Sequence, residues 1–353
     1  MAPPSDDDLP DDDERREFEA GFAAISTDRP HDSLFRYVFG RIEHAASFLA
    51  AVLERAIAAR IDWTTLRAEP GTFVDERFVR RESDLLFSAE LLGTRERVAI
   101  YLLFEHQSTF DQDTLLRVAD YKVRIWNRWR EQRASSLEPL PPILAVVLAH
   151  DDAPWRGPTR FSEMSALDAD GHSALGAYML DFRIALVDLA AVDVSDLLRE
   201  RRISDLVRFV LALLRFARST DDVVRALRPY AMVLGPLFRT ASGRRDLAAF
   251  MRYLDALGVY ESEGMTTLLR DSAGDIATRA VMTFSQRLIE QGRVEGRVDA
   301  LSRLLLVQVG QKFGDVPDEI RQRIAAASLA DLERWMTRVL NAESIRGVFD
   351  ERS

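Results

Sequence analysis

The fold class this sequence predicts is a mixed α/β core followed by an all-helical extension, and three observations predict it. Two apolar runs with strand character, Glu82-Ser83-Asp84-Leu85-Leu86-Phe87 and the stretch ending in Phe104-Glu105-His106-Gln107-Ser108, flank the turn signal Gly93-Thr94-Arg95-Glu96 and read as a β-hairpin. The run Ile143-Leu144-Ala145-Val146-Val147-Leu148-Ala149 is continuously apolar, as in a strand buried on both faces. From about Val194 onward the pattern is helical almost throughout.

Taken in order, residues 1–29 hold Asp6-Asp7-Asp8 and Asp11-Asp12-Asp13 around Pro10, with too little apolar surface to pack, so this acidic tail is expected to be disordered. From Ser33 to Arg60 the positions Leu34, Phe35, Val38, Phe39, Phe48, Leu49, Val52 and Leu53 recur at helical spacing. Gly40 divides them into two helices, and Asp32 is placed to cap the first. A loop with Pro70-Gly71 leads into the hairpin, from Glu82 to Ser108. Asp111-Gln112-Asp113 then opens a helix to about Arg133, with Leu115, Leu116, Ala119, Val123, Ile125 and Trp126 as its inward stripe. Past Leu140-Pro141-Pro142 come the buried strand and a shorter one, Phe182 to Leu189.

These elements make residues 30–190 an α/β sandwich, residues 191–290 a helical extension with turns at Gly235-Pro236, Gly243 and Gly258, and residues 291–353 a C-terminal helical domain broken at Gly314-Asp315-Val316-Pro317. Gln291-Gly292-Arg293-Val294-Glu295-Gly296-Arg297-Val298 repeats a Gly-Arg-Val unit at four-residue spacing. Its charges exclude a membrane helix and leave two readings: a solvated connecting helix, or a self-association helix that would build a homo-oligomer.

Charge and composition narrow the class. Of the net −10, residues 1–30 supply −7, from ten acids against three arginines, so the remainder is close to neutral and DNA binding is not excluded. Zero cysteines rule out a thiol nucleophile and a cysteine-based zinc site. The longest apolar stretch, Leu140 to Ala149, is too short for a bilayer, and the acidic start is unlike a signal peptide, so a cytoplasmic protein is expected. Basic residues number 47, of which only Lys122 and Lys312 are lysines, a habit better explained by genome composition than by phosphate recognition.

Paired symmetrically about Thr94 and Arg95, the hairpin strands set Asp84 opposite Glu105, with Gln107 on the same face as Glu105. Two facing carboxylates repel, so the arrangement calls for a shared proton, an arginine or a divalent cation. One aspartate and one glutamate suit Mg2+ or Mn2+, which polarise a phosphodiester and activate water. The competing reading is two solvent-facing strand ends neutralised by Arg80, Arg81 or Arg97. The five histidines, His31, His44, His106, His150 and His172, contain no i, i+4 pair, and no serine-hydrolase elbow, Walker A loop or dinucleotide fingerprint occurs. By strand alternation His106 points away from Glu105 and Gln107. The helix after the hairpin interleaves Arg117, Lys122, Arg124, Arg128 and Arg130 with Tyr121, Trp126 and Trp129. It reads as a solvated face over an aromatic core, or as a phosphate-binding surface with Arg117 and Lys122 beside the scissile phosphate.

Together these residues resemble the PD-(D/E)XK nuclease superfamily, and within it the Rpn recombination-promoting nucleases, also labelled putative transposases. The likeness runs through His31-Asp32, Phe35, Asp62-Trp63, Phe73-Val74-Asp75-Glu76, Glu82 to Phe87, Phe104 to Ser108, Leu116-Arg117, Tyr121, Arg124-Ile125-Trp126, Pro141-Pro142 and Pro154-Trp155. It is close over residues 31–190 and loose beyond. The segment Leu301 to Asp350 is similar to a small helical domain of unknown function often appended to that family.

The resemblance implies a restriction-endonuclease-like α/β/α core and Mg2+-dependent DNA endonuclease activity linked to recombination or mobile elements. Asp84 and Glu105 would be the metal acids, the His106 backbone carbonyl a further ligand, and Asp32 a third acid; the helix after the hairpin offers Arg117, Lys122 and Arg124 as its phosphate-binding candidates. Gln107 stands where the superfamily has lysine; it can orient water but not act as an acid at neutral pH. The alternatives are a nucleic-acid-binding protein without cleavage and an interaction scaffold whose helical half carries the function.

Overall fold

The computed structural model describes residues 12–69, 84–94, 96–105, 113–132, 139–151, 153–191, 203–217, 224, 227–258 and 263–349. The chain divides into two compact units, residues 6–281 and residues 282–353.

The larger unit is built on one five-stranded mixed sheet: β1 (Ile61–Ala68), β2 (Asp84–Leu91), β3 (Arg97–Glu105), β4 (Ile143–Ala149) and β5 (Ile184–Asp188), in that spatial order. β1, β2 and β3 are antiparallel; β3, β4 and β5 are parallel. The helix Thr114–Glu131 is the crossover from β3 to β4 that parallel pairing requires. Helices in chain order are α1 (Asp12–Ala23), α2 (Pro30–Phe39), α3 (Ile42–Val52), α4 (Arg55–Ala58), α5 (Thr114–Glu131), α6 (Ala169–Leu175), α7 (Asp205–Phe216), α8 (Leu234–Phe238), α9 (Ala241–Ala256), α10 (Glu263–Ala273), α11 (Asp275–Phe313), α12 (Asp318–Ala325), α13 (Leu329–Val339) and α14 (Ile345–Phe349).

Strand alternation divides the core. One face of the sheet, with Leu86, Ala99, Tyr101, Ala145, Val147 and Ile184, packs against Leu115, Val118, Tyr121 and Ile125 of α5. On the other face Phe87, Ile100, Val146 and Leu148 are fully buried, α2 lies against β2, and α7 lies against α2 and α3. The expected α5 stripe is therefore shifted: Leu116 and Val123 are exposed, at 48% and 46%. The apolar positions follow two overlapping helical rows, and the row through Val118 and Tyr121 is the one that meets the strands.

Three other expectations change. Part of the acidic tail is folded: Asp12–Ala23 form α1, which packs on α9, with Phe18 fully buried and Phe22 nearly so. The Arg245 guanidinium reaches Glu17 at 2.6 Å and that of Arg252 lies 4.5 Å from the Phe22 ring centroid, so basic residues of α9 offset acids that look unpartnered in sequence. Gly235-Pro236 and Gly243 fall inside α8 and the first turn of α9 instead of in turns, whereas Gly258 does end α9, at φ 72°. The helices from α7 through α9 do not stand apart, because they pack on α1, α2 and α3 within the same unit.

In the smaller unit the C-terminal part of α11 packs with α12, α13 and α14 around Leu305, Val309, Ile324, Leu332, Trp335 and Phe349. The break at Gly314 to Pro317 lies where expected, with Gly314 at φ 85° and α12 starting at Asp318. The Lys312 ammonium donates to the carbonyls of Val339 and Leu340 at 2.8 and 2.7 Å, closing the C-terminal end of α13. Among the described residues no helix is long and apolar enough to cross a membrane.

Candidate active site

Asp84 opens β2, and its cross-strand partner is Leu103, not Glu105. The expected opposition is offset by two residues because the turn is centred one residue earlier: Glu90 pairs with Arg97, the Leu91 amide donates to the Glu96 carbonyl, and Gly93 takes the left-handed conformation at φ 78°. Position 105 lies two residues past Leu103 on β3, so alternation assigns it to the same face as Asp84, diagonally across the ladder and about 7 Å away between backbones. On the other diagonal, the Tyr101 hydroxyl donates to Asp84 Oδ2 at 2.8 Å.

Tyr101 is 1% exposed, and its ring lies 4.7 Å from that of Tyr121 on α5. Burial, then the Asp84 charge, then Tyr121 push its pKa well above 10, so it stays a neutral donor to the carboxylate. Glu105 pairs with Ala149, and Ala149 with Asp188, so three neighbouring strands end in one row. Asp188 is buried with both oxygens engaged: Oδ2 accepts from the Trp155 amide at 2.7 Å and Oδ1 from the Ala190 amide at 2.9 Å, which ties the loop after β4 to this edge.

Directly beyond β4, His150 and His31 bring in the first turn of α2, with ring centroids 4.7 Å apart. His31 Nδ1 shares a 2.8 Å hydrogen bond with the Tyr253 hydroxyl of α9, and His150 Nε2 meets the Leu214 carbonyl. Asp32 thus belongs to this end of the sheet. It is half-buried in the first turn and does not cap α2; the N-cap is Arg29, without a side-chain bond, and Asp32 acts on the helix through the macrodipole.

The three basic candidates separate along α5. Arg117 is in the first turn, its Nη2 donating to Thr114 Oγ1 at 3.1 Å. Arg124 pairs with Asp120 at 2.9 Å, seven residues and about 10 Å further along the helix. Lys122 is not beside the acids. It is 8% exposed, its ammonium donates to the Ile143 carbonyl at 2.7 Å, and it lies 4.6 Å from the Phe182 ring centroid, at the opposite end of β4 and about 20 Å of strand from Ala149. Burial lowers its pKa to about 8, and the carbonyl and ring face do the work an anion would do at the surface. His106 and Gln107 lie outside the described residues. Among the described residues no group of three or more histidine, cysteine, aspartate or glutamate side chains converges on a metal position. Tyr101 and Asp188 went unnoticed in the sequence; the only signal for Asp188 was an acid closing an apolar strand.

The N-termini of α2 and α5 thus lie at the acid-bearing edge of a mixed α/β sheet. The family model described as "Putative transposase, YhgA-like" matches residues 29–244, and the chain belongs to that family. It is 25% identical over 227 residues to recombination-promoting nuclease RpnD of Escherichia coli O157:H7, covering 60% of this chain and 84% of the relative. It is 24% identical over 264 residues to recombination-promoting nuclease RpnC of Escherichia coli K12, covering 74% and 82%. A third relative, 23% identical over 273 residues and covering 77% and 85%, is the inactive recombination-promoting nuclease-like protein RpnE of Escherichia coli K12. No solved structure matches.

Proposed function

We propose that this protein is a metal-dependent DNA endonuclease of the PD-(D/E)XK type, acting in recombination, with a restriction-endonuclease-like core. The observation that carries the reading is the β2–β3 register, in which Asp84 and position 105 share one face at the sheet end while a buried tyrosine orients Asp84. Relatives named recombination-promoting nucleases support the same reaction class.

The donor set fits a hard divalent cation. Two carboxylate residues on one face, with oxygen from a neighbouring backbone carbonyl, suit Mg2+ or Mn2+. Asp84 and Glu105 would hold the ion, joined by the His106 carbonyl and by Asp32 as a third acid. When bound, the ion supplies charge neutralisation on the phosphate and a more acidic water. The chain's own residues do the rest. Tyr101 keeps the Asp84 carboxylate in one orientation, Gln107 aligns the attacking water by hydrogen bonding, and Arg117 binds a phosphate from the first turn of α5. Glutamine at 107 can orient that water but is itself no acid at neutral pH, so it would not protonate the leaving oxygen.

Plasmid nicking by the purified protein in Mg2+, Mn2+ or EDTA tests the reading. Nicking that needs the ion and disappears in both Asp84→Asn and Glu105→Gln supports it. DNA binding without nicking in either metal would instead make the chain a non-cleaving binder, matching the relative named inactive.

A further inference from the structure

Four residues along β2 from Asp84, on the same face of the sheet, two guanidinium groups meet at one hydroxyl. Arg97 Nη2 donates to Ser88 Oγ at 2.8 Å and Arg67 Nε at 3.1 Å. Ser88 is 1% exposed, and its hydroxyl donates a hydrogen bond to the Glu69 carboxylate. Two carboxylates hold the cations: Glu69 is 3.0 Å from Arg67 Nε, and Glu90 is 3.2 Å from Arg97 Nη1.

Three features set this cluster apart from a surface ion pair. Arg67 reaches Ser88 only because β1 bulges: Asp62 pairs with Glu90 and Arg67 with Ser88, so three extra residues are taken up between them. The bulge is built, not frayed. Asp62 Oδ1 accepts from the amide and hydroxyl of Thr64, while the Thr65 hydroxyl donates to the Asp62 carbonyl and accepts from the Glu90 amide. Bulges of this kind re-aim side chains. Secondly, Arg97 is a largely desolvated cation beside another cation. Its side chain is 16% exposed, burial and then Arg67 lower its pKa, and its Nε is buried with no partner among the described residues. Thirdly, the side chains of Arg67 and Glu90 are 60% and 47% exposed, so solvent reaches the cluster and one of its two carboxylates is free to swing away.

We infer that Arg67 and Arg97, set on Ser88, form a backbone-phosphate subsite for the DNA strand held at the sheet end. The inference rests on the proposed nuclease reading and adds where the substrate lies. A phosphate offers several acceptor oxygens to two forked donors, whereas Glu90 occupies one nitrogen of Arg97 and leaves Nε without a partner. It enters by displacing the half-exposed Glu90. Four residues of strand put the subsite about 13 Å from Asp84, too far for chemistry and suited to fixing which phosphodiester meets the acids.

The test is DNA affinity in EDTA, where no metal-dependent cleavage intervenes, measured by fluorescence anisotropy on a labelled duplex over a range of salt. Arg67→Ala is expected to weaken binding roughly 3- to 10-fold at low salt and to reduce the slope of log K against log salt by about 1. Glu90→Gln, which removes the competing charge, is expected to tighten binding roughly 2- to 5-fold. A purely structural network predicts no gain from Glu90→Gln, and any result other than these opposite shifts overturns the subsite. If the unaltered protein binds DNA and neither variant changes it, the nuclease reading stands without the subsite; if the unaltered protein neither binds DNA nor nicks it in Mg2+ or Mn2+, both fall.

Discussion

The hydroxyl of Tyr101 donates to Asp84 Oδ2 at 2.8 Å, diagonally across the β2–β3 ladder, and holds one oxygen of a strand-end carboxylate in a fixed place. Tyr101→Phe keeps the buried ring and its contact with Tyr121 and removes only this bond. The expected cost in stability is about 1 kcal/mol, since a phenyl ring leaves little unsatisfied beyond the carboxylate. Nicking is expected to fall about tenfold or more, with a higher Mg2+ concentration needed for half-maximal rate, because a carboxylate with two rotamers binds an ion less well. Initial rates over a Mg2+ series decide it. Unchanged metal dependence would make the bond structural only.

Lys122 yields a prediction with a definite pH sign. Burial holds its pKa in the fold at about 8, below the ordinary lysine value of 10.5, so the charged form is disfavoured there. The contribution of this group to stability is fully present above the unfolded pKa and is lost as pH falls through about 8. Between these limits the difference corresponds to as much as about 3 kcal/mol. Lys122→Met fills the same volume without a charge. It is expected to flatten the rise in stability between pH 8 and 9.5, a window below the titration of ordinary tyrosines, while leaving DNA affinity unchanged. Urea melts at several pH values check the first part. A loss of DNA affinity would restore Lys122 to the phosphate-binding residues.

Truncation of the acidic N-terminus is expected to destabilise the larger unit. Phe18 is fully buried, and at Gly21 an added Cβ would overlap the Arg245 carbonyl oxygen, so α1 and α9 meet backbone to backbone. Phe18→Ala is expected to cost about 3 to 5 kcal/mol. Gly21→Ala is expected to cost at least about 1 to 3 kcal/mol, as in other overpacked contacts. Both are read from denaturant midpoints, and deletion of residues 1–29 is expected to lower the midpoint as well. A midpoint unchanged by that deletion would return α1 to the status of a solvated tail.

How far the fold was legible depended on whether local pattern and tertiary contact agreed. β4 is apolar at every position, β5 is an apolar run closed by Asp188, and α2 and α3 meet at Gly40, so these elements fell close to their expected bounds. β1 did not show itself, since its bulge between Asp62 and Arg67 destroys the two-residue period by which a strand is recognised. α1 was hidden for a different reason. Its apolar content is low, and the arginines that neutralise it are more than 200 residues away on α9. The hairpin was visible but its register was not: Gly93 at positive φ moves the turn by one residue, and each residue of turn displacement moves the facing pair by two. Of the candidate site, Asp84 and Glu105 were readable as charges at the ends of apolar strands. Tyr101 was not, because a tyrosine inside Ile100-Tyr101-Leu102 looks like any core aromatic until the register sets it diagonal to Asp84.

The residue at 107 and the first turn of α5 allow chemistry and binding to be separated. If Gln107 orients the attacking water, Gln107→Ala removes a hydrogen bond made in the transition state and is expected to lower the nicking rate roughly 10- to 1,000-fold with little change in DNA affinity. Arg117 shares the first turn of α5 with Thr114 and lies at the end of the helix nearest β3. Arg117→Ala is expected to do the reverse: to weaken DNA binding across sequences and lower the salt slope by about 1, while cleavage of bound DNA proceeds at nearly the same rate. Single-turnover nicking at saturating protein isolates the first effect, and anisotropy over a salt series isolates the second. A scaffold that happens to keep two acids at a sheet end predicts neither. If both variants nick and bind as the unaltered protein does, the catalytic reading of this edge is wrong.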